Sequence, residues 1–156
     1  LGDHLPTPTG RIVKGFLAGR MPAYVDTGLN VVDVRDVAAG HRLALERGRP
    51  GRRYILGNEN MTLREILRVI AGLSGRRAPR LRIPHSLAIA VAALDEAVEG
   101  RMLGREPTAP LDGALMARAR MFVDGGRAVR ELGMPQSPVR LALADAVDWF
   151  REREAA

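Results

Sequence analysis

Apolar positions along this chain recur mostly at helical spacing, interrupted by a few short β-branched or alternating runs. After the proline-fixed loop LPTPTG, Val13, Phe16 and Leu17 mark a first helix, with Thr9 placed to cap it. The run Val31 to Val34 reads as a short strand, and a helical pattern begins at Asp36, a candidate N-cap, and stops near Gly48, a candidate C′ residue. Arg53 to Leu56 reads as a second strand. Strand, helix and strand within about 30 residues form a βαβ unit, whose strands are expected to pair in parallel.

The second half of the pattern is more helical. Thr62 and Glu65 make a T-x-x-E capping box ahead of Leu63, Ile66, Leu67, Ile70 and Leu73, which share one face until Gly75. Residues 80–83 alternate apolar and basic positions as a third strand, and Pro84 suits the first position of the next helix. That helix is apolar nearly all round from Leu87 to Leu94, so burial is expected. A Gly/Pro-rich loop spans residues 100–110, followed by a helix from Leu111 to about Ala119. Asp124 opens a short helix that stops at Gly133 and Pro135. Ser137 and Pro138 open a last one, with Val139, Leu143, Val147 and Phe150 on one face.

A βαβ unit implies a parallel sheet, and parallel sheets normally contain several strands covered by helices on both faces. Two short parallel strands and one alternating strand are too few for a doubly wound layer. An unpaired edge and an apolar face are expected to be left over, so the chain should seek a partner surface, its own second copy included.

Composition narrows the function classes. At 156 residues and 46% hydrophobic content, the chain has enough apolar side chains for one globular core. No run approaches the roughly 18 apolar residues of a membrane span, and no secretory leader pattern opens the chain, which together suggest a cytoplasmic protein. With no cysteine, disulfides, thiolate catalysis and cysteine-held metals are excluded for these residues. The net charge of +6 raises a basic nucleic-acid-binding module as an alternative, but 24 basic residues, all arginine except Lys14, are interspersed with 18 carboxylates rather than gathered in a patch. Arg52-Arg53 and Arg76-Arg77 lie beside Gly and Pro and read as solvated loops.

Chemistry-bearing motifs are scarce. There is no G-x-G-x-x-G turn, Walker loop or G-x-S-x-G elbow. Gly125-Gly126 follows no convincing strand and reads as a helix-start turn. Ser86, His85 and Asp95 cannot converge from one helix start as a catalytic triad, and His4, His41 and His85 lack metal-ligand spacing. His41 is expected to be a hydrogen-bonded, half-buried helix residue. Asp33, inside an apolar strand, needs either solvent or a partner. Asp36 is read as structural, and Met102, Met116 and Met121 as core-filling residues.

The order of segments resembles a known family. The stretch PTPTGRIVKGFLAGRMPAYVDTGLNVVDVRDVAAGHRLALERGRPGRRYILGNENMTLREIL is similar to the second half of hopanoid-associated sugar epimerases, in the NAD-dependent epimerase/dehydratase branch of extended short-chain dehydrogenase/reductases, near dihydroflavonol reductases. VVDVRDVA matches the family's strand-then-helix segment, and LGREP and RMFVDGGRAVRELGMPQSPVRLALADAVDWFR extend the likeness over almost the whole chain. Position 33 departs from the family pattern, carrying Asp33 where histidine is common.

The resemblance implies an α/β, helix-rich fold: the C-terminal part of a Rossmann-type extended reductase with an incomplete parallel sheet. Within residues 1–156, the last βαβ of the Rossmann sheet would occupy about 29–57 and a small helical substrate region about 60–156. The N-terminal dinucleotide-binding half would be absent. The family's NAD or NADP fingerprint and its Tyr-x-x-x-Lys pair are not in this sequence, so no catalytic, cofactor-binding or metal residue is assigned. The resemblance implies instead a small-molecule substrate of sugar or nucleotide-sugar type, with Thr7, Pro8, Thr9 and Arg11 near the active-site mouth and Arg105 or Arg118 engaging the substrate. A homo-oligomer, with no nucleic acid and no membrane span, completes the expectation.

Overall fold

The computed structural model describes residues 7–98 and 111–155. Helix α1 (Pro8–Leu17) starts at Thr7, whose hydroxyl accepts from the Gly10 amide, so Thr7 rather than Thr9 is the cap. Two strands follow, β1 (Ala23–Tyr24) and β2 (Gly28–Val31), then α2 (Val34–Arg47). The strand therefore ends where it was expected to begin. The cause is Asp33, whose carboxylate accepts from the Arg35 amide and starts the helix three residues ahead of Asp36. Gly48 closes α2 as its C-cap in an extended conformation.

Strand β3 (Glu59–Thr62) pairs with β2 antiparallel, Gly28 opposite Thr62 and Val31 opposite Glu59. This corrects the βαβ expectation: residues 53–56 form no strand, and β2's partner comes one segment later and runs the opposite way. Just ahead of β3, the Asn58 amide donates to Asn30 Oδ1 of β2. A small parallel sheet is nonetheless present elsewhere, between β1 and β4 (Leu81–Arg82), and a single parallel bridge joins Leu29 to Met121.

Helix α3 (Leu63–Ser74) carries the expected capping box and ends on Gly75 in the left-handed region at φ 71°. Its apolar face meets α1 and α6 (Val139–Ala155) in the main core, where Val13, Phe16 and Leu17 pack with Ile66, Leu67, Ile70, Val139, Leu143 and Val147. A second, smaller cluster holds Leu43 of α2 against Ala128, Leu132 and Met134, around a π-helical turn at Ala128–Leu132, with Tyr54 and Leu56 packed on it. This turn is the short helix anticipated after Asp124, and it stops at Gly133 in the left-handed region as read.

Helices α4 (His85–Asp95) and α5 (Leu111–Met116) pack on each other. Pro84 is the N-cap of α4, and α5 ends three residues short of the expected Ala119. Burial of α4 is overturned: Leu87, Val91 and Leu94 are 50%, 52% and 66% exposed, and Ala92 is its buried residue. An all-apolar helix has no preferred side, so one facing partner, α5, leaves the remainder outside. Met116 and Met121 are likewise exposed rather than core-filling, while Met102 lies outside the described residues.

Candidate functional site

Two clefts lie among the described residues. The first, about 420 Å³, is bounded by Gly57, Asn58, Asn60, Val123, Asp124, Gly125, Gly126, Val129 and Gln136. Side-chain amides organise it. Asn30 donates to Asn60 Oδ1 at 2.8 Å, Asn60 Nδ2 donates to the Val123 carbonyl at 3.0 Å, and the Val123 amide returns a bond to Asn60 Oδ1 at 3.1 Å. Asn58 reaches across to the Ser137 carbonyl at 2.7 Å. These bonds fix the rim, and the exposed Gln136 carboxamide stands at its edge.

The Gly125-Gly126 turn borders this cleft and is built for internal packing. A Cβ on Gly125 would come within 2.6 Å of the Gly57 carbonyl, so glycine is what allows the two backbones to approach. The Gly126 amide is already taken by Asp124 Oδ1 at 2.7 Å. A dinucleotide phosphate needs free, converging amides at such a turn, so these residues do not fit the role of an NAD(P) phosphate cradle.

The second cleft, about 230 Å³, runs between β1 and the start of α3, lined by Tyr24, Val25, Asp26, Thr27, Thr62, Arg64, Glu65, Arg68 and Arg82. Arg82 and Arg120 both hold Asp26, at 2.9 and 3.2 Å. Glu65 folds back onto the helix start. Its Oε2 accepts from the Thr62 hydroxyl and amide, which together hold the carboxyl below its ordinary range.

Beside the clefts, two buried carboxylates serve the framework. Asp33 is 2% exposed and pairs with Arg35, which also contacts Asp145 of α6 at 2.7 Å. The Arg35 guanidinium bonds lower the Asp33 carboxyl below its usual value against the opposing effect of burial, and raise the Arg35 guanidinium in turn. Asp33 thus has the partner its position demanded. Asp36 accepts from the Ser137 amide at 2.7 Å and hydroxyl at 2.8 Å, which ties α2 to the entrance of α6. It is thus a tie between segments rather than the N-cap of α2.

The two described histidines have structural contacts, and His4 lies outside the described residues. His85 Nε2 lies 3.1 Å from the Asp26 carbonyl and 3.0 Å from that of Ala117. His41 contacts the Val37 carbonyl of its own helix and is exposed, not half-buried. No group of three metal-ligating side chains occurs among the described residues, and no described helix is long and apolar enough to cross a membrane. Tyr54 donates to Glu131 and accepts from the Arg49 amide.

Of the residues singled out in the sequence, Thr7, Pro8, Thr9 and Arg11 form the start of α1, which leans on α3 and α6. Arg118 is exposed in the turn after α5, the helix packed on α4. Arg105 lies outside the described residues. The cleft residues Asn58, Asn60, Arg64, Arg68 and Arg82 were missed. The polar string GNEN and the four-residue spacing of Arg64 and Arg68 were the available signals.

No family model matches the chain. A Synechocystis protein named dihydroflavonol 4-reductase-like is 50% identical over 153 residues, covering 96% of this chain and 44% of its own length. The sterol demethylase protein B of Methylococcus capsulatus is 37% identical over 152 residues, covering 97% and 46%. Among solved structures, a nucleoside-diphosphate-sugar epimerase from Pseudomonas aeruginosa superposes with a TM-score of 0.70 at 34% identity, over 93% of this chain and 42% of that one. A UDP-glucuronic acid 4-epimerase from Bacillus cereus shares the fold, with a TM-score of 0.58 at 13% identity, over 91% and 38%. The chain spans under half the length of each.

Proposed function

Because this chain is related over nearly its whole length to reductase- and epimerase-type proteins of Rossmann fold, we propose that it forms the substrate-side portion of an NAD(P)-dependent epimerase or reductase acting on a sugar or nucleotide-sugar. The observation that carries this reading is the 50% identity across 153 residues to a reductase-named protein. The fold agrees. The cleft of Gly57, Asn58, Asn60 and Gln136 is a polar, rigid-rimmed concavity of the kind a polyhydroxylated ligand can enter.

In this reading the 156 residues supply binding and positioning only. The hydride chemistry belongs to the nicotinamide, and the proton transfer to a Tyr-x-x-x-Lys pair that this sequence does not contain. Thr7, Pro8, Thr9, Arg11, Arg105 and Arg118 are the proposed substrate contacts, with Asn58, Asn60 and Gln136 added by the geometry. The protein works in the cytoplasm, and a self-associating form covers whatever edge its partner portion does not.

Calorimetry on the 156-residue chain with NAD(H) and NADP(H) tests the division of labour. The expected outcome is no stoichiometric binding of either dinucleotide, and activity only when a dinucleotide-binding portion is joined to it. Tight one-to-one dinucleotide binding by the chain alone would overturn it.

A further inference from the structure

The cleft between β1 and α3 carries more positive than negative side chains. Three arginines, Arg64, Arg68 and Arg82, face it against the two carboxylates of Asp26 and Glu65. Asp26 is matched twice, by Arg82 and by Arg120. Glu65 is directed at the helix cap, where the Thr62 amide and hydroxyl both donate to its Oε2. Arg64 and Arg68 are exposed; Arg68 acts on the Glu65 carboxylate through space, as Arg120 does, and no hydrogen bond is formed by either guanidinium among the described residues.

These two cations are four residues apart on α3, so they stand one turn above each other on a single face. Like charges at that spacing repel each other. Two planar forks side by side, each with several N–H donors, match an oxyanion that offers several oxygens at once. The cavity of about 230 Å³ is small, below the roughly 300 Å³ at which drug-sized pockets begin, so a compact anion suits it better than a whole sugar.

The geometry points to a phosphate-binding site in this cleft, where the guanidinium groups of Arg64 and Arg68 grip a phosphate or diphosphate and the Arg82–Asp26–Arg120 group forms the wall behind it. The inference goes beyond the proposed reaction and does not depend on it. It requires neither a dinucleotide nor a sugar.

Titration of the 156-residue chain with inorganic phosphate and with pyrophosphate at low ionic strength tests it, read by calorimetry and by amide chemical shifts. Saturable one-to-one binding is expected, with shifts concentrated from Thr62 to Arg68. Arg64→Gln and Arg68→Gln should each weaken binding about tenfold, the scale of one charge-assisted hydrogen bond, and the double variant should abolish it. Both side chains are exposed, so circular dichroism and the melting temperature without ligand should match those of the parent. Arg76→Gln, outside the cleft, should leave affinity unchanged. A nucleoside diphosphate distinguishes the source: affinity equal to pyrophosphate means that the phosphates alone are read, and tighter binding means that they are carried on a larger ligand. Absence of saturation, shifts scattered over arginines throughout the chain, or an equal loss in Arg76→Gln would overturn the site.

Discussion

Helices α3 and α4 are nearly equal in length, 12 and 11 residues, and both are rich in apolar side chains, yet they end in opposite environments. In α3 the apolar residues sit on one face, with Arg64, Glu65 and Arg68 turned outward, so the helix has one orientation that buries its oil and solvates its charge. In α4 the apolar residues surround the axis. Packing against α5 satisfies one side and leaves Leu87, Val91 and Leu94 exposed. Their starts differ as well: Thr62 and Glu65 close both ends of a capping box on α3, whereas Pro84 gives α4 no side-chain cap. Sidedness, more than apolar content, decides which helix the core holds.

The contrast is broken most directly at Ile70, which is fully buried at the centre of the α1–α3–α6 cluster. Ile70→Ala should cost about 2–5 kcal/mol, because lost transfer energy and a residual cavity add. Urea unfolding would measure it as a lower midpoint, and a loss below about 1 kcal/mol would show that the three helices are not one packed unit.

A smaller effect is expected at the start of α2, where the cap is a carboxylate. Asp33→Ala should cost about 1–2 kcal/mol at neutral pH, in the range of lost N-caps. The sign of its pH dependence follows from the lowered native value. The unfolded chain takes up the proton first, so the contribution is complete above about pH 4, the unfolded carboxyl value. It fades as pH falls through the lower native value. Melting temperatures of parent and variant should therefore converge on acidification below that point, and a gap that stays constant down to pH 2 would reject the assignment.

The smallest change is expected on α4. Leu94→Ser removes a large apolar side chain that is 66% exposed and should shift stability by no more than about 0.5 kcal/mol. A loss comparable to that of Ile70→Ala would mean that α4 is covered in solution.

How much of this was legible beforehand follows the same division. The capping box of α3, its stop at Gly75 and the Val139–Leu143–Val147 face of α6 were readable because local chemistry and tertiary burial point the same way there. The resemblance to reductases and epimerases was legible from long collinear segments. The strands were not. Val31 to Val34 looks like a strand by composition, but one carboxylate, Asp33, ends it by capping a helix. Residues 53–56 have strand-forming side chains but pair with no backbone among the described residues, and pairing is a property of two segments. The clefts were hidden for a related reason. Asn30, Asn60 and Val123 meet only after three segments converge, while Arg64 and Arg68 could have been paired from spacing alone.

The attachment of the α4–α5 pair to the rest of the molecule has a consequence for how the protein opens. Thr27 donates to the Ala119 carbonyl, Met121 exchanges backbone hydrogen bonds with Gly28 and Asn30, and His85 reaches the Asp26 carbonyl, all along the loop and strand that lead into β2. Among the described residues the pair is thus held by a seam of polar bonds, and neither apolar cluster includes a residue of α4 or α5. Water can replace such bonds one by one, without exposing Leu67 or Ile70. The pair should detach and reattach as a unit at a free energy well below that of global unfolding, and the exchange rate of the Met121 amide would report each departure.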